Sequence, residues 1–97
     1  MVAARRLESP PFRAGSVKTA EVHCQVSDGL TPNEKVARVQ TADGKSEEVA
    51  VSAQNIQNDK LLAFVIGRDE GNVLVELPRE SASGRWRIWV KEAAIGG

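Results

Sequence analysis

The chain has 97 residues, with 13 lysines or arginines and 13 aspartates or glutamates, so its formal net charge is zero. This length favours a single domain, and the balanced charge provides no long-range field toward nucleic acid or an anionic membrane. The lone cysteine, Cys24, excludes an internal disulfide and a cysteine-based metal cage, and it suits the cytoplasm. No apolar stretch approaches about 20 residues, so we expect neither a membrane span nor a secretory signal.

The amino-terminal residues 1–16 show little periodicity and include two consecutive prolines, which predicts an irregular arm rather than a helix. From Lys18 to Val26, apolar and polar residues alternate, as is typical of a strand with one solvent-facing side. We therefore expect one β-barrel domain over residues 17–93, between this arm and a flexible tail at residues 94–97. The apolar set of the first strand is Ala20, Val22, Cys24 and Val26.

The segment from Thr31 to Gly44 is compatible with two structures. Thr31, Pro32 and Glu34 fit the start of a capped helix, whereas Asp43-Gly44 suits a β-hairpin turn. A three-residue loop with Gly44 in a left-handed bulge would place four apolar residues on one face. This register favours the hairpin, with a short helix as the alternative. The four apolar residues are Ala37, Val39, Val49 and Val51.

The middle of the chain predicts one helical turn and then a hairpin. Residues 53–59 are short and rich in amides, so they predict at most a single turn of helix. The apolar segments LLAFVI (61–66) and VLVEL (73–77) predict two strands joined by a four-residue loop at 68–71. That loop length directs one alternate set from each strand into the core. The expected pairs are Ile66 with Val73, Phe64 with Val75, and Leu62 with Leu77.

The run GRWRIWV at residues 84–90 predicts the last strand and contains both tryptophans of the chain. Side chains alternate along a strand, so Trp86 is expected in the core while Trp89 faces outward. Pairing of this strand with residues 73–77 would place Leu74 beside Trp89. The outer face would then carry an apolar band with a cationic rim. Its expected members are Val65, Leu74, Arg85, Arg87 and Trp89.

About five or six short strands at spacings of about ten residues predict an all-β fold, most simply a small antiparallel barrel. A meander interrupted by one helical turn before a terminal strand resembles the layout of SH3-like barrels. Peptide-binding members of that family use tyrosines and an acidic loop that this chain lacks, so binding of proline-rich peptides is not implied. An OB-like barrel is the alternative fold, although its helix would be longer than residues 53–59 allow.

A tryptophan has roughly 150 to 250 Å² of surface to bury, so a band around Trp89 calls for a covering group. One candidate is the arm, through Leu7, Pro10, Pro11 and Phe12. The other is a protein partner or a second copy of the chain. We expect a non-catalytic interaction module of this second kind. Single-stranded nucleic acid is the alternative ligand, with bases stacked on Trp89 and phosphates bound by Arg85, Arg87 and Lys91.

The sequence gives little support for catalysis or for a cofactor. His23 and Cys24 are the only residues of their kinds, and neighbours on a strand point to opposite faces, so they cannot act as base and nucleophile. No glycine-rich phosphate loop or calcium-loop spacing occurs. The final Gly96-Gly97 resembles the end of ubiquitin-like and sulfur-carrier proteins, but those families begin with a hairpin and a long helix that this sequence does not predict.

Overall fold

A computed structural model describes residues 18–96 as an all-β structure with two antiparallel sheets. The predicted arm, residues 1–16, lies outside the described residues. Single 3-10 turns cover Ala53–Asn55, as predicted for that segment, and Glu92–Ala94. The strands are β1 (Lys18–His23), β2 (Gln25–Asp28), β3 (Glu34–Gln40), β4 (Ser46–Ser52), β5 (Ile56–Gln57), β6 (Lys60–Asp69), β7 (Asn72–Glu76) and β8 (Arg87–Lys91).

The strands divide between a larger and a smaller sheet. The larger sheet has the order β1-β6-β7-β8, with β5 paired to the start of β6, and the smaller sheet is the meander β2-β3-β4. Strands β1 and β2 are separated only by Cys24, so the chain passes there from one sheet to the other. Two backbone hydrogen bonds join the sheets elsewhere: Ala42 N–H donates to the Trp89 carbonyl (2.8 Å), and Ala82 N–H donates to the Glu48 carbonyl (2.7 Å).

The core between the sheets is aliphatic and consists mainly of valine and alanine. Valine fits the pleated surface of a strand, and alanine allows the two sheets to approach closely. The alternation predicted for the first strand is confirmed for Ala20 and Val22, which are buried, and Cys24 packs against the core. The single strand predicted from Lys18 to Val26 is instead divided at Cys24, and Val26 lies half-buried in β2. The buried apolar side chains are Ala20, Val22, Ala37, Val39, Val49, Val51, Leu61, Ala63, Val73, Val75, Leu77, Ile88 and Val90.

The segment that fitted either a helix or a hairpin is a strand, β3. Thr41 N–H donates to the Lys45 carbonyl at 2.8 Å and closes a three-residue loop before β4. Gly44 within that loop has φ = 86°, the left-handed conformation that the hairpin register required. The predicted face is also confirmed. The four apolar residues Ala37, Val39, Val49 and Val51 are all 0% exposed.

The predicted hairpin between β6 and β7 forms, but its predicted register is wrong. The turn consists of two residues, Glu70 (φ = 50°) and Gly71 (φ = 83°), instead of four. Along β6 the pairing with β7 then shifts between Val65 and Gly67, which makes Ile66 the extra residue of a β-bulge. One extra residue exchanges the two faces of the strand beyond it.

The bulge reverses the side chains that β6 directs into the core. Leu61 and Ala63 are 0% exposed and Val65 packs against the core, whereas the prediction had placed Val65 on the outer face. Leu62 is instead 39% exposed, and Phe64 lies on the same outer face. The predicted core pairs of Leu62, Phe64 and Ile66 are therefore wrong. Both alternate sets of LLAFVI are apolar, so the pattern could not decide between them.

Strand β8 pairs with β7 in the predicted register, with Leu74 opposite Trp89. The expectation that Trp86 lies in the core is wrong, because its side chain is 53% exposed. The Trp86 carbonyl accepts a hydrogen bond from Leu77 N–H at 2.8 Å, as the register requires. However, β8 begins at Arg87, so this pair lies at the end of the sheet, where only Leu77 is enclosed.

Residues 94–96, which belong to the segment expected to be a tail, lie against β1. Ile95 forms a β-bridge with Val22, and Gly96 N–H donates to the Glu21 carbonyl at 2.8 Å. A Cβ atom at Gly96 would come within 2.8 Å of His23 Nε2, so a residue with a side chain would force the imidazole or the backbone to move. These contacts cover the edge of β1 that does not pair with β6.

The reversed faces of β6 lead to a direct test. Leu61→Ala should lower the free energy of unfolding by about 2 to 5 kcal/mol, because it empties a fully buried site. Leu62→Ala, one residue along, should cost less than about 1 kcal/mol because that side chain is already partly in solvent. Urea unfolding followed by circular dichroism measures both. A larger loss of unfolding free energy in Leu62→Ala than in Leu61→Ala would show that the bulge is not present.

Candidate functional site

The outer face of the larger sheet carries four large apolar side chains, which we call the outer band. Trp89 is 41% exposed and Leu62 is 39% exposed, while Phe64 and Leu74 are half-buried. Ile66, at the bulge beside them, is 43% exposed. This is a larger apolar surface than the sequence predicted. Leu74 and Trp89 were predicted there, Val65 is absent from it, and Leu62 and Phe64 are additions.

Strand pairing explains how the outer band is held together. Leu74 lies directly opposite Trp89 across β7 and β8. Directly opposed side chains on one face of an antiparallel pair are close enough to contact each other. Phe64 lies opposite Thr19 on one side and Glu76 on the other. The outer band therefore runs diagonally across three adjacent strands, from Leu62 to Trp89.

Charged side chains border the outer band on two sides. Arg87 Nε donates to Glu76 Oε1 at 3.1 Å, the neighbour that the predicted register gave it. On the other side, Lys60 Nζ is 4.0 Å from Glu21 Oε1. Exposed ion pairs of this kind contribute little stability. They instead give the border of the outer band a fixed pattern of charge.

Arg85, which the sequence placed on the rim, lies in the loop before β8 and reaches the smaller sheet. Its Nε is 3.6 Å from Glu47 Oε2 on β4. Glu47 is the least exposed carboxylate among the ion pairs of residues 18–96, with 14% of its side chain in solvent. Ser83 Oγ donates to Glu47 Oε1 at 2.6 Å and holds the pKa of Glu47 below its usual value, with smaller contributions from Ser81 and Arg85.

A cleft of about 530 Å³ opens where β8 faces the loop between β3 and β4. Arg85, Arg87 and Trp89 line one side of this cleft. The opposite side carries Asp43, Lys45 and Glu47, among other residues. Trp89 thus borders both the outer band and the cleft, whereas the sequence predicted only the first of these positions.

The residues considered for catalysis are not brought together. His23 is exposed, and Cys24 packs half-buried against the core. Burial, with a smaller effect of Asp59, raises the pKa of the Cys24 thiol, which leaves it protonated and weakly nucleophilic at neutral pH. Over residues 18–96, no group of three His, Cys, Asp or Glu side chains is arranged to hold a metal ion. No helix within that range is long and apolar enough to cross a membrane.

Ser83→Ala should raise the pKa of Glu47 toward the ordinary value of about 4.3, because the hydrogen bond to the ionised carboxylate is lost. A carboxylate whose pKa is depressed by folding stabilises the protein above its unfolded-state pKa. That stability disappears as the pH falls through the lower folded-state pKa. The variant should therefore lose less stability on acidification below about pH 5 than the wild type.

Carboxyl-detected NMR titration measures the Glu47 pKa, and urea unfolding at several pH values measures the stability. Ser27→Ala, in an exposed position on β2, provides the matched control and should change neither. An unchanged Glu47 pKa in Ser83→Ala would show that the serine does not set it.

Residue chemistry and geometry are the guides to the role of this surface. No protein-family model matches the chain, and no curated protein or solved structure shows significant similarity to it.

Proposed function

We propose that this protein is a non-catalytic interaction module that binds a protein partner, or a second copy of itself, through the outer band. The bulge at Ile66 carries this proposal, because it directs Leu62 and Phe64 outward beside Leu74 and Trp89. Bulges are enriched next to functional sites, where they redirect side chains. If only burial in the core mattered, enclosing the larger set of β6 side chains would stabilise the fold more than enclosing the smaller set. The larger set is Leu62, Phe64 and Ile66, and the smaller set is Leu61, Ala63 and Val65.

The composition of the outer band fits the anatomy of a contact surface. Tryptophan and arginine dominate binding energy at protein interfaces, and such anchors lie centrally with a polar rim around them. Trp89 would be the anchor, with Arg87 and Arg85 at the rim. Each Å² of apolar surface removed from water contributes about 25 cal/mol, so covering several large side chains can drive association.

We further propose that the two sheets close into a small barrel of SH3-like layout, in a cytoplasmic accessory protein. The passage of the chain from one sheet to the other at Cys24 and the hydrogen bond from Ala42 to Trp89 support closure. The 3-10 turn at Glu92–Ala94, followed by the bridge of Ile95 to Val22, supports the SH3-like order. An OB-like barrel is the alternative.

Single-stranded nucleic acid is the competing ligand. The outward position of Phe64 favours it, since it gives the face a second aromatic platform beside Trp89. The charges oppose it, because Arg87 and Lys60 are each paired with a carboxylate on the same face. A phosphate backbone needs several available cations, and these pairs reduce the positive charge on this face, so we favour a protein ligand.

The test compares capture of partner proteins from cell extract by wild-type protein and by the outer-band variants Leu62→Ser and Trp89→Ser. Both variants should lose at least 90% of a specifically captured protein, or of self-association in sedimentation velocity. Leu30→Ser is the matched control, because Leu30 is 96% exposed but lies in the loop between β2 and β3, and it should retain binding.

Retention of binding in both outer-band variants, or equal loss in Leu30→Ser, would contradict the proposal. A labelled oligothymidine titrated at low salt separates the competing ligand. Saturable binding that Phe64→Ser and Trp89→Ser abolish would favour nucleic acid instead.

A further inference from the structure

Strand β8 has one edge paired to β7 and one edge that faces away from it. In an antiparallel ladder, alternate residues direct their backbone groups to opposite edges. The Trp86 carbonyl accepts a hydrogen bond from the N–H of Leu77, which directly follows β7. The Trp89 carbonyl accepts one from the N–H of Ala42, which lies outside the larger sheet. It follows that Arg87 and Trp89 direct both N–H and C=O away from β7.

The outward edge of β8 is bounded at both ends and open between them. At one end, Ser81 N–H donates to the Arg85 carbonyl at 2.7 Å, and at the other, Ala42 occupies the Trp89 carbonyl. Three backbone groups lie between these bonds: Arg87 N–H, Arg87 C=O and Trp89 N–H. Within residues 18–96 none of the three has a backbone or side-chain partner. We call this three-group stretch the β8 gap.

The β8 gap faces the cleft of about 530 Å³ that separates β8 from the loop between β3 and β4. An exposed row of unpaired N–H and C=O groups is a template for another extended chain. Peptide recognition by strand addition uses this arrangement, with backbone hydrogen bonds for affinity and alternate side chains for specificity. The bonds of Ser81 to Arg85 and of Ala42 to Trp89 limit backbone pairing to the stretch between them, about 13 Å of strand at roughly 3.3 Å per residue.

The side chains of β8 indicate the sequence that such a strand would carry. On the outer face Arg87 and Trp89 are two residues apart, and Arg87 keeps 59% of its side chain in solvent despite its bond to Glu76. Arg85 is 65% exposed next to them. Opposite charges and apolar contacts stabilise directly opposed cross-strand pairs. A residue facing Arg87 should therefore be acidic, and the residue two positions away, which can reach Trp89 only through its side chain, should be apolar.

Two of the three carboxylates that line the cleft, Asp43 and Glu47, already have partners, and the third is Asp69 at the end of β6. Glu47 is occupied by Ser83 and Arg85, and Asp43 accepts from Thr41 and from Lys45 N–H within its own loop. Glu76 contacts Arg87 from the β7 side, which is opposite to the β8 gap. An added strand would place its acid on the free side of the guanidinium.

We propose that the β8 gap binds an extended segment of a partner protein, which adds to the larger sheet as a short strand. Its acidic residue would face Arg87, and the side chain of an apolar residue two positions away would contact the Trp89 ring, since Ala42 already occupies the backbone position opposite Trp89. This inference rests on the proposed function and deepens it, because it names the conformation and chemistry of the partner. The outer band would then contact the remainder of that partner.

The probe is a fluorescein-labelled peptide, Ser-Glu-Thr-Val-Thr-Glu-Ser, titrated against the full chain by anisotropy. Its palindromic core presents the acidic and apolar pair to β8 in either strand direction. We expect saturable binding, and a change in the amide NMR resonances of Arg87 and Trp89. A peptide with lysines in place of both glutamates should bind at least tenfold more weakly, and one with N-methylated valine and glutamates should not bind.

Matched variants of the protein isolate the backbone contact. Arg87→Pro removes the free N–H, and a proline is tolerated at a strand edge whose N–H faces away from the sheet. Arg87→Thr removes the same side chain and keeps the N–H. Arg87→Pro should bind the peptide at least tenfold more weakly than Arg87→Thr. Leu30→Ser should bind it as the wild type does. If Arg87→Pro fails to fold, the N-methylated peptide tests the same contact.

The inference is overturned if the peptide does not bind, or if it binds equally well when N-methylated. In that case, capture that still depends on Leu62 and Trp89 would leave the proposed function intact. Conversely, peptide binding at the β8 gap without any effect of Leu62→Ser on partner capture would support the added strand and contradict the outer band.

Discussion

Strand β6 pairs with two strands, β1 and β7, and each pairing independently fixes which side chains of β6 face the core. The arrangement of the larger sheet depends on making these two requirements compatible. Its first half pairs with β1, where Ala20 lies opposite Ala63 and Val22 opposite Leu61. Its second half pairs with β7 through a two-residue turn. An uninterrupted ladder from that turn would bring the wrong alternate set into the core beside β1. The single extra residue at Ile66 reconciles the two pairings.

The same adjustment creates the surface to which we assign function. Enclosing Leu61 and Ala63 leaves Leu62 and Phe64 outside, next to Leu74 and Trp89. The core encloses less apolar volume from β6 by this exchange, and most of its buried side chains are valines and alanines of the two sheets. The proposed contact surface and the buried set of β6 thus both follow from one local irregularity in one strand.

Much of the fold could be predicted because, for some strand pairs, only one pairing register places all the apolar side chains on the same face. Gly44 can adopt the left-handed conformation, and only one register puts the apolar residues of β3 and β4 on one face. The pairing of Leu74 with Trp89 followed from alternation in the same way. Strand β6 was different, since both of its faces are apolar and a bulge leaves no mark in such a pattern. Leu62 and Phe64 were missed for that reason.

Alternation also fails to reveal where a sheet ends. Trp86 has the inward parity that the sequence predicted, but it lies just before β8 begins and its side chain is exposed. Arg85 is held by Ser81, four residues earlier in the same loop, and by Glu47, which is distant in sequence and leaves no local signal. Contacts between segments that are distant in sequence cannot be predicted from the alternation of apolar and polar residues.

The bridge of Ile95 and Gly96 to β1 has a consequence for assembly. A sheet that is open along both margins can recruit copies of itself without limit and grow into a fibre. In the larger sheet these two residues occupy the β1 margin at Glu21 and Val22, which shortens the stretch that another chain could pair with. The shortened margin at β1 therefore disfavours open-ended growth of the sheet from that side.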